Sequence, residues 1–372
     1  MFGMNKNQNT PVTEQQVLAA LGQVRDPELG RDIVSLGMIK DLRITPEVAG
    51  ARVGFTFELT TPACPARNQM EQMARQAVSG VPGVAAVDVQ MSARVRGGGP
   101  AAHGDGQHER LLPGVKHTIA VASGKGGVGK STVATNLAVA LAQSGAKVGL
   151  LDADVYGPSI PALMGINQKP LFDGKQLIPV EAHGVRLMSL GFLMDDNSPV
   201  IWRGPLVASA VRQLLSDVDW GDLDYLLIDL PPGTGDAQLT LAQAIPLSGV
   251  VIVSTPQDVA LRIATKALEM FQRLHVPILG LVENMSVFVC PNCGHEAHIF
   301  AHGGAEEAAR RLRVPYLGAI PLHEAIRATG DEGTPLVVAQ PGTPEAEAFA
   351  AAARGLAGQI SIQASRVVPV LR

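Results

Sequence analysis

A mostly parallel α/β sheet covered by helices on both faces, with a small α+β domain ahead of it, is the fold this 372-residue sequence predicts. Three observations carry that prediction. Short continuous apolar runs recur between helical stretches in the later part of the chain, as in strands buried on both faces. A glycine-rich loop ending in Lys-Ser stands between the first of these runs and a helix. The earlier residues show instead an alternating strand and short helices, and a Gly/Pro-rich stretch divides the two patterns.

Thr13 and Gln16 have the spacing of a capping box and open a helix through Leu21. Ala51–Leu59 (ARVGFTFEL) alternates and predicts a strand, Ala66–Val78 a helix, and Val84–Val89 a second strand. These elements make residues 11–93 the small domain. Residues 94–115 mix Gly and Pro with charge of both signs and have no apolar period, which is the composition of a flexible linker. In the large domain, residues 116–355, strands are predicted at Thr118–Ala122, Val148–Asp152, Tyr225–Leu230, Gly249–Ser254, Ile278–Val282 and Tyr316–Ala319. Thr132–Ser144 reads as a right-handed crossover helix closed by Gly145. Residues 356–372, with Pro369 and no amphipathic period, are expected to form a tail.

Apolar residues are 46% and charged residues 17%, against roughly 25% charged in an average soluble protein. That mix excludes a disordered chain. A net charge of −4 supplies no basic field for nucleic acid. No apolar run approaches the roughly 18 residues of a membrane span. The opening MFGMNKNQNT has no signal-type apolar stretch, so the expected location is cytoplasmic, with neither membrane nor nucleic acid as partner. Three cysteines, Cys64, Cys290 and Cys293, are too few for a disulfide framework.

The glycine-rich loop matches G-x-x-x-x-G-K-[ST] at Gly124, Gly129, Lys130 and Ser131. Its backbone amides, from Gly124 through Lys125, Gly126, Gly127, Val128 and Gly129 into Thr132, are placed to converge on the phosphates of ATP at a helix N-terminus. That is the signature of a P-loop NTPase. Lys130 is expected to bridge the terminal phosphates and the Ser131 hydroxyl to ligate Mg²⁺. In a dimer, Lys125 could reach a neighbour's nucleotide as an arginine finger does. Asp152 and Asp154 follow one predicted strand, at the edge where ligands gather in such sheets. Asp229 ends another and is the expected Mg²⁺-orienting acid. Asp154 is the candidate for orienting the attacking water, and Asp236, in LPPGTGD, for sensing the γ-phosphate.

Cys290-Pro291-Asn292-Cys293 offers two thiolates, whereas most metal sites need four ligands. One completion is a closed zinc site with His295 and His298. Another joins the pairs of two chains into a Cys₄ set that suits a [4Fe–4S] cluster. A third reading is thiol redox chemistry, although this pair does not open a helix after a first strand.

GKGGVGKST, LDADVYGPSIP, WRGP (Trp202–Pro205), DLPPGTGD, STPQDVAL, VENMS and CPNC occur in that order. Together they resemble the Mrp family of iron–sulfur cluster carrier ATPases, relatives of MinD, ParA and the nitrogenase iron protein. The resemblance implies an ATP-hydrolysing homodimer with Lys125 reaching across its interface and Asn284 contacting adenine. It further implies a bridging [4Fe–4S] cluster on Cys290 and Cys293, taken from a cluster donor and passed to apoproteins. DPELG (Asp26–Gly30), IVSLGMI (Ile33–Ile39) and TTPACP (Thr60–Pro65) resemble the small domain of iron–sulfur assembly proteins. There Cys64 is either a cluster or acceptor contact or a buried packing thiol. Relatives usually carry an acid where this chain has Ile263, and a glycine where it has Ala301 or His302. The competing reading is a MinD/ParA-like positioning ATPase, which needs a basic amphipathic terminal helix or a basic face.

Overall fold

The computed structural model describes residues 11–97, 111–193, 204–290 and 292–367. Trp202, Arg203, Pro291, Pro369 and most of the expected linker lie outside these residues. The chain divides into two units at Arg96.

In the first unit, Thr13 caps α1 (Glu14–Leu21): its side chain accepts the Gln16 amide, and the Gln16 side chain accepts the Thr13 amide at 2.9 Å. An antiparallel hairpin follows, β1 (Ile39–Glu47) and β2 (Gly50–Leu59). Then α2 (Arg67–Ser79) crosses over to β3 (Val84–Ala93), which pairs parallel with β2. Strand β1 has no signature in the sequence. It is a half-exposed edge strand, and Lys40, Asp41 and Arg43 break its apolar alternation. The core is Val17, Leu21, Phe55, Phe57, Met70 and Val78.

This unit also holds Cys64. The residue is only 7% exposed, and burial, with the nearby Glu28 charge, pushes its thiol up to about 11. Asp26 accepts the amides of Glu28 and Leu29 at 2.8 and 2.9 Å and so shapes the DPELG turn. Glu28 is half-buried, and desolvation together with the Asp26 charge raises its carboxyl to about 7. The native unit therefore binds this proton more tightly than the unfolded chain does. Its stability falls as pH rises from the ordinary carboxylate range, about 4.3, through about 7. Denaturant melts of the full chain between about pH 5 and pH 8 should show that loss in the first unit's transition. Glu28→Gln should flatten it.

The second unit begins with β4 (Val115–Ser123), α3 (Lys130–Gln143) and β5 (Val148–Asp152). A short α4 (Ile160–Leu163) and the two-stranded ribbon β6 (Leu171–Phe172) and β7 (Leu177–Ile178) lead to β8 (Val180–Ala182) and β9 (Val185–Ser189). Next come α5 (Gly204–Ser216), β10 (Leu223–Asp229), α6 (Asp236–Ala244), β11 (Gly249–Ser254) and α7 (Asp258–Arg273). The chain continues through β12 (Ile278–Val289), β13 (Glu296–Ala297), α8 (Gly304–Leu312) and β14 (Tyr316–Leu322). It closes with α9 (Glu324–Asp331), α10 (Leu336–Ala339) and α11 (Pro344–Val367).

The parallel strands lie in the order β9-β5-β10-β4-β11-β12-β14, with β8 antiparallel on β9 and β13 antiparallel on β12. Every residue of β5, β10 and β11 is buried, as continuous apolar runs require. The expected tail is a correction. Residues 356–367 are the second half of α11, and Leu356, Ala357 and Ile360 are 0, 0 and 3% exposed. The segment is rich in Ala, Gly and Ser, so it shows little apolar contrast. Those small residues let α11 pack closely on α3 and β14.

Ala301, on the way into α8, holds φ 81. This is a left-handed backbone that a glycine adopts without cost. Ala301→Gly should raise stability by about 1 kcal/mol, measurable as a higher midpoint of the second unit's thermal unfolding.

Candidate functional site

The order of the strands creates the site. Strand β10 enters between β4 and β5, so Asp229 pairs in register with Val121 on one side and Asp152 on the other. The carboxyl ends of β4, β5 and β10 thereby converge on one edge, the usual ligand edge of a parallel sheet. The loop from Gly124 to Thr132 leaves β4 there and turns into α3 with Lys130 as its first residue.

Close packing leaves no room for a side chain at two positions of this loop, Gly124 and Gly129. A Cβ on Gly124 would lie 2.6 Å from the Ile263 carbonyl carbon and 2.7 Å from the Ala264 nitrogen. Ile263 thus presses directly against the phosphate loop. Gly127 and Gly129 both take φ +78. Val128 is buried, while Gly126 is exposed on the loop's open side.

Lys130 stands at the centre. Its Nζ lies 2.6 Å from Asp229 Oδ1 and 3.6 Å from Asp154 Oδ2, with the lysine side chain only 5% exposed. The Ser131 hydroxyl donates to Asp229 Oδ2 at 2.5 Å. Burial drives the Asp229 carboxyl above the usual carboxylate range, and the Lys130 charge pulls against that rise. Asp152 is fully buried beside them and is pushed up to about 7 by burial and then by the Asp229 charge. It accepts from the Asp154 and Ile160 amides and the Ser189 hydroxyl, at 3.1, 3.2 and 3.2 Å. Asp152 therefore sets the loop that aims Asp154 at Lys130. The hydroxyl of Ser189 could not have been assigned from sequence, because β9 itself had no signature.

Other expected residues take different places. Lys125 is half-buried, with its Nζ donating to Gln257 Oε1 at 3.0 Å. Gln257 lies in the STPQD stretch, yet nothing in that pattern pairs it with Lys125. Asp236 is exposed in the first turn of α6, and among the described residues its carboxylate stands outside the Lys130 cluster. Asn284, 5% exposed, donates from Nδ2 to the Val128 carbonyl at 2.8 Å, bracing the loop from below. Thr132 gives its carbonyl to Asn136 at 2.9 Å inside α3.

The cysteines sit on a hairpin. Phe288 and Val289 of β12 pair with Ala297 and Glu296 of β13, and the Cys290 amide donates to the His295 carbonyl at 2.9 Å. Cys293 is exposed and Cys290 half-exposed. The amides of Asn292 and Cys293, and then the Cys293 thiol, hold the Cys290 thiol below the ordinary thiol range. Amides aimed at sulfur favour the thiolate, the form that ligates metal. Among the described residues no group of three or more His, Cys, Asp or Glu side chains converges, so the one-chain zinc site with His295 and His298 is not assembled. His298 instead faces His302, ring centroids 4.5 Å apart.

The model of the NUBPL iron-transfer P-loop NTPase family matches residues 114–357. That of an iron–sulfur cluster assembly protein family matches residues 14–89. An iron–sulfur cluster carrier protein of Synechocystis is 47% identical over 365 residues, 95% of this chain and 99% of that one. The mouse iron–sulfur cluster transfer protein NUBPL is 54% identical over 244 residues, 65% of this chain and 76% of its own. Among solved structures, a nucleotide-binding protein of Archaeoglobus fulgidus in complex with ADP is 45% identical. It covers 60% of this chain and 89% of its own, with a TM-score of 0.55. MinD of Pyrococcus furiosus, 23% identical and covering 64% of this chain and 97% of its own at a TM-score of 0.50, shares the fold alone. Matched across most of its length by family and by relatives, the chain belongs to the NUBPL family of iron-transfer P-loop NTPases.

Proposed function

We propose that this protein binds and hydrolyses ATP at the Lys130 loop and carries a [4Fe–4S] cluster held by Cys290 and Cys293 of two protomers. The cluster is its cargo, accepted from a donor and passed to apoproteins. The observation that carries this reading is the cysteine hairpin: an exposed Cys293 beside a half-exposed Cys290 whose thiolate the neighbouring amides favour, together only half of a four-thiolate set. A two-fold partner completes it. The names of the full-length and mouse relatives support the carrier role, and the ADP complex of the archaeal relative supports the nucleotide.

At the nucleotide site the residues divide the work by charge. Lys130 is the cation among Asp152, Asp154 and Asp229. ATP phosphates would take up the loop amides and draw Lys130 Nζ from Asp229 toward the bridging oxygens. Ser131 Oγ and Asp229 Oδ2, 2.5 Å apart, are hard oxygen donors that fit Mg²⁺. Bound there, the ion would offset phosphate charge. Asp154 would orient the water whose oxygen attacks the γ-phosphorus as the β–γ bridge breaks. Asp236, exposed on α6, would move toward the γ-phosphate. With Asn284 Nδ2 engaged by Val128, its Oδ1 is the acceptor left for the adenine amino group. Lys125 would exchange Gln257 for the nucleotide of the partner subunit.

The terminal helix bears on the rival reading. A positioning ATPase of the membrane type needs a free amphipathic end. Here α11 buries Phe349, Ala352, Leu356 and Ile360, and no helix among the described residues is long and apolar enough to cross a membrane.

Anaerobic reconstitution tests the proposal directly. The wild-type protein should take up about four irons per dimer with a broad visible absorption band, and transfer them to an apoprotein at a rate that ATP alters. The Cys290→Ala/Cys293→Ala double variant should take up none, and a full cluster in that variant would falsify the assignment. Lys125→Ala should leave the thermal midpoint nearly unchanged, since among the described residues that side chain makes a single hydrogen bond. Its ATP turnover should drop on the order of 10³-fold, measured by phosphate release.

A further inference from the structure

Two adjacent side chains of β12 link the phosphate loop to the cysteine loop. Glu283 is 1% exposed and belongs to neither proposed site. Its Oε1 accepts the Gly303 amide at 3.2 Å and its Oε2 accepts the Ala305 amide at 2.7 Å. These amides open α8, whose N-cap Gly303 (φ 68) has no side chain to satisfy them. A carboxylate in that position fills orphan donors and complements the helix dipole. Glu283 is thus a helix cap supplied from a distant strand. It closes the loop of residues 284–303, which contains both cysteines.

Asn284 points to the opposite side of the strand, as successive residues must, and there holds Val128 of the phosphate loop. The fit is tight, because a Cβ on Gly129 would lie 2.2 Å from Asn284 Nδ2. Immediately beyond, Met285 takes φ 57, and the pairing of β12 with β14 breaks register between Asn284 and Phe288. A left-handed backbone at a non-glycine residue persists only where its surroundings enforce it. After this bend the strand runs into the cysteine hairpin. The Ser286 hydroxyl, donating to the Ile320 carbonyl at 3.0 Å, pins the bend to β14. The connections form a closed circuit: phosphate loop, Asn284, bend, cysteine pair, foot of α8, and Glu283 back to the strand.

We infer that Glu283 is a positioning residue for the cysteine loop, fastening the foot of α8 to the strand that Asn284 fastens to the phosphate loop, so that a shift of one loop moves the other. The inference rests on the cluster-carrier reading above. Its test compares reconstituted wild type with Glu283→Gln, which keeps the shape but loses one acceptor oxygen and the charge. Cluster loss to an iron chelator is timed with and without a non-hydrolysable ATP analogue, and the control is Glu307→Gln on the exposed face of α8.

In wild type and in the control, the analogue should change the rate of loss by about fivefold or more. In Glu283→Gln the cluster should still form, with the nucleotide effect falling below about twofold. A variant with the full nucleotide effect overturns the inference. Hydrogen exchange on unmutated protein gives a second arm, independent of how well the variant folds. Protection of the Gly303 and Ala305 amides should change when the analogue binds, and unchanged protection there also overturns the inference. If wild type takes up no cluster, the carrier proposal fails, while the exchange arm still decides whether the two loops are linked.

Discussion

A single buried cation among three acidic side chains organises the second unit. Lys130 and Asp229 form an ion pair almost without solvent, with Asp154 close by and Asp152 behind it. Removing either partner would strand a buried charge at a cost of about 3–5 kcal/mol. Forming the pair requires the first residue of α3 and the last of β10 to meet at one sheet edge. That meeting depends on β10 entering between β4 and β5.

Close approach of backbones is the second constraint, and small residues supply it. Gly124 meets the backbone of α7, and a Cβ on Gly304 would lie 2.5 Å from Leu261 Cδ1 and 2.9 Å from the Pro256 carbonyl oxygen. Thus the phosphate loop and the foot of α8 bear on the same helix and the segment leading into it. Gly165 and Gly333 touch in the same manner, bringing the end of α4 against the turn after α9. Interfaces of this kind transmit displacement, because little side-chain volume is available to absorb it.

The two chemical sites contrast in burial. The Lys130 cluster is enclosed, so its charges act in a medium that strengthens them. The cysteine hairpin lies toward solvent, with Cys293 exposed and Cys290 half-exposed. The first unit adds a third setting, in which Cys64 is buried and held as a thiol. The same residue type thus takes opposite protonation tendencies, through amides aimed at sulfur in one place and desolvation in the other.

By itself the sequence determined what depends on local order. Glycine spacing specified the phosphate loop, and continuous apolar runs specified the buried strands. The Thr13–Gln16 pair specified a cap. Strand β1, strand β9 and the end of α11 were decided by tertiary structure. Their residues are charged, short in run or uniformly small, and only neighbouring elements make them strand or helix. The pairings Lys125–Gln257, Asn284–Val128 and Glu283 with the foot of α8 belong to the same class. Each joins groups that the order of strands brings together, and a carboxylate finds its distant amides only after the sheet has formed.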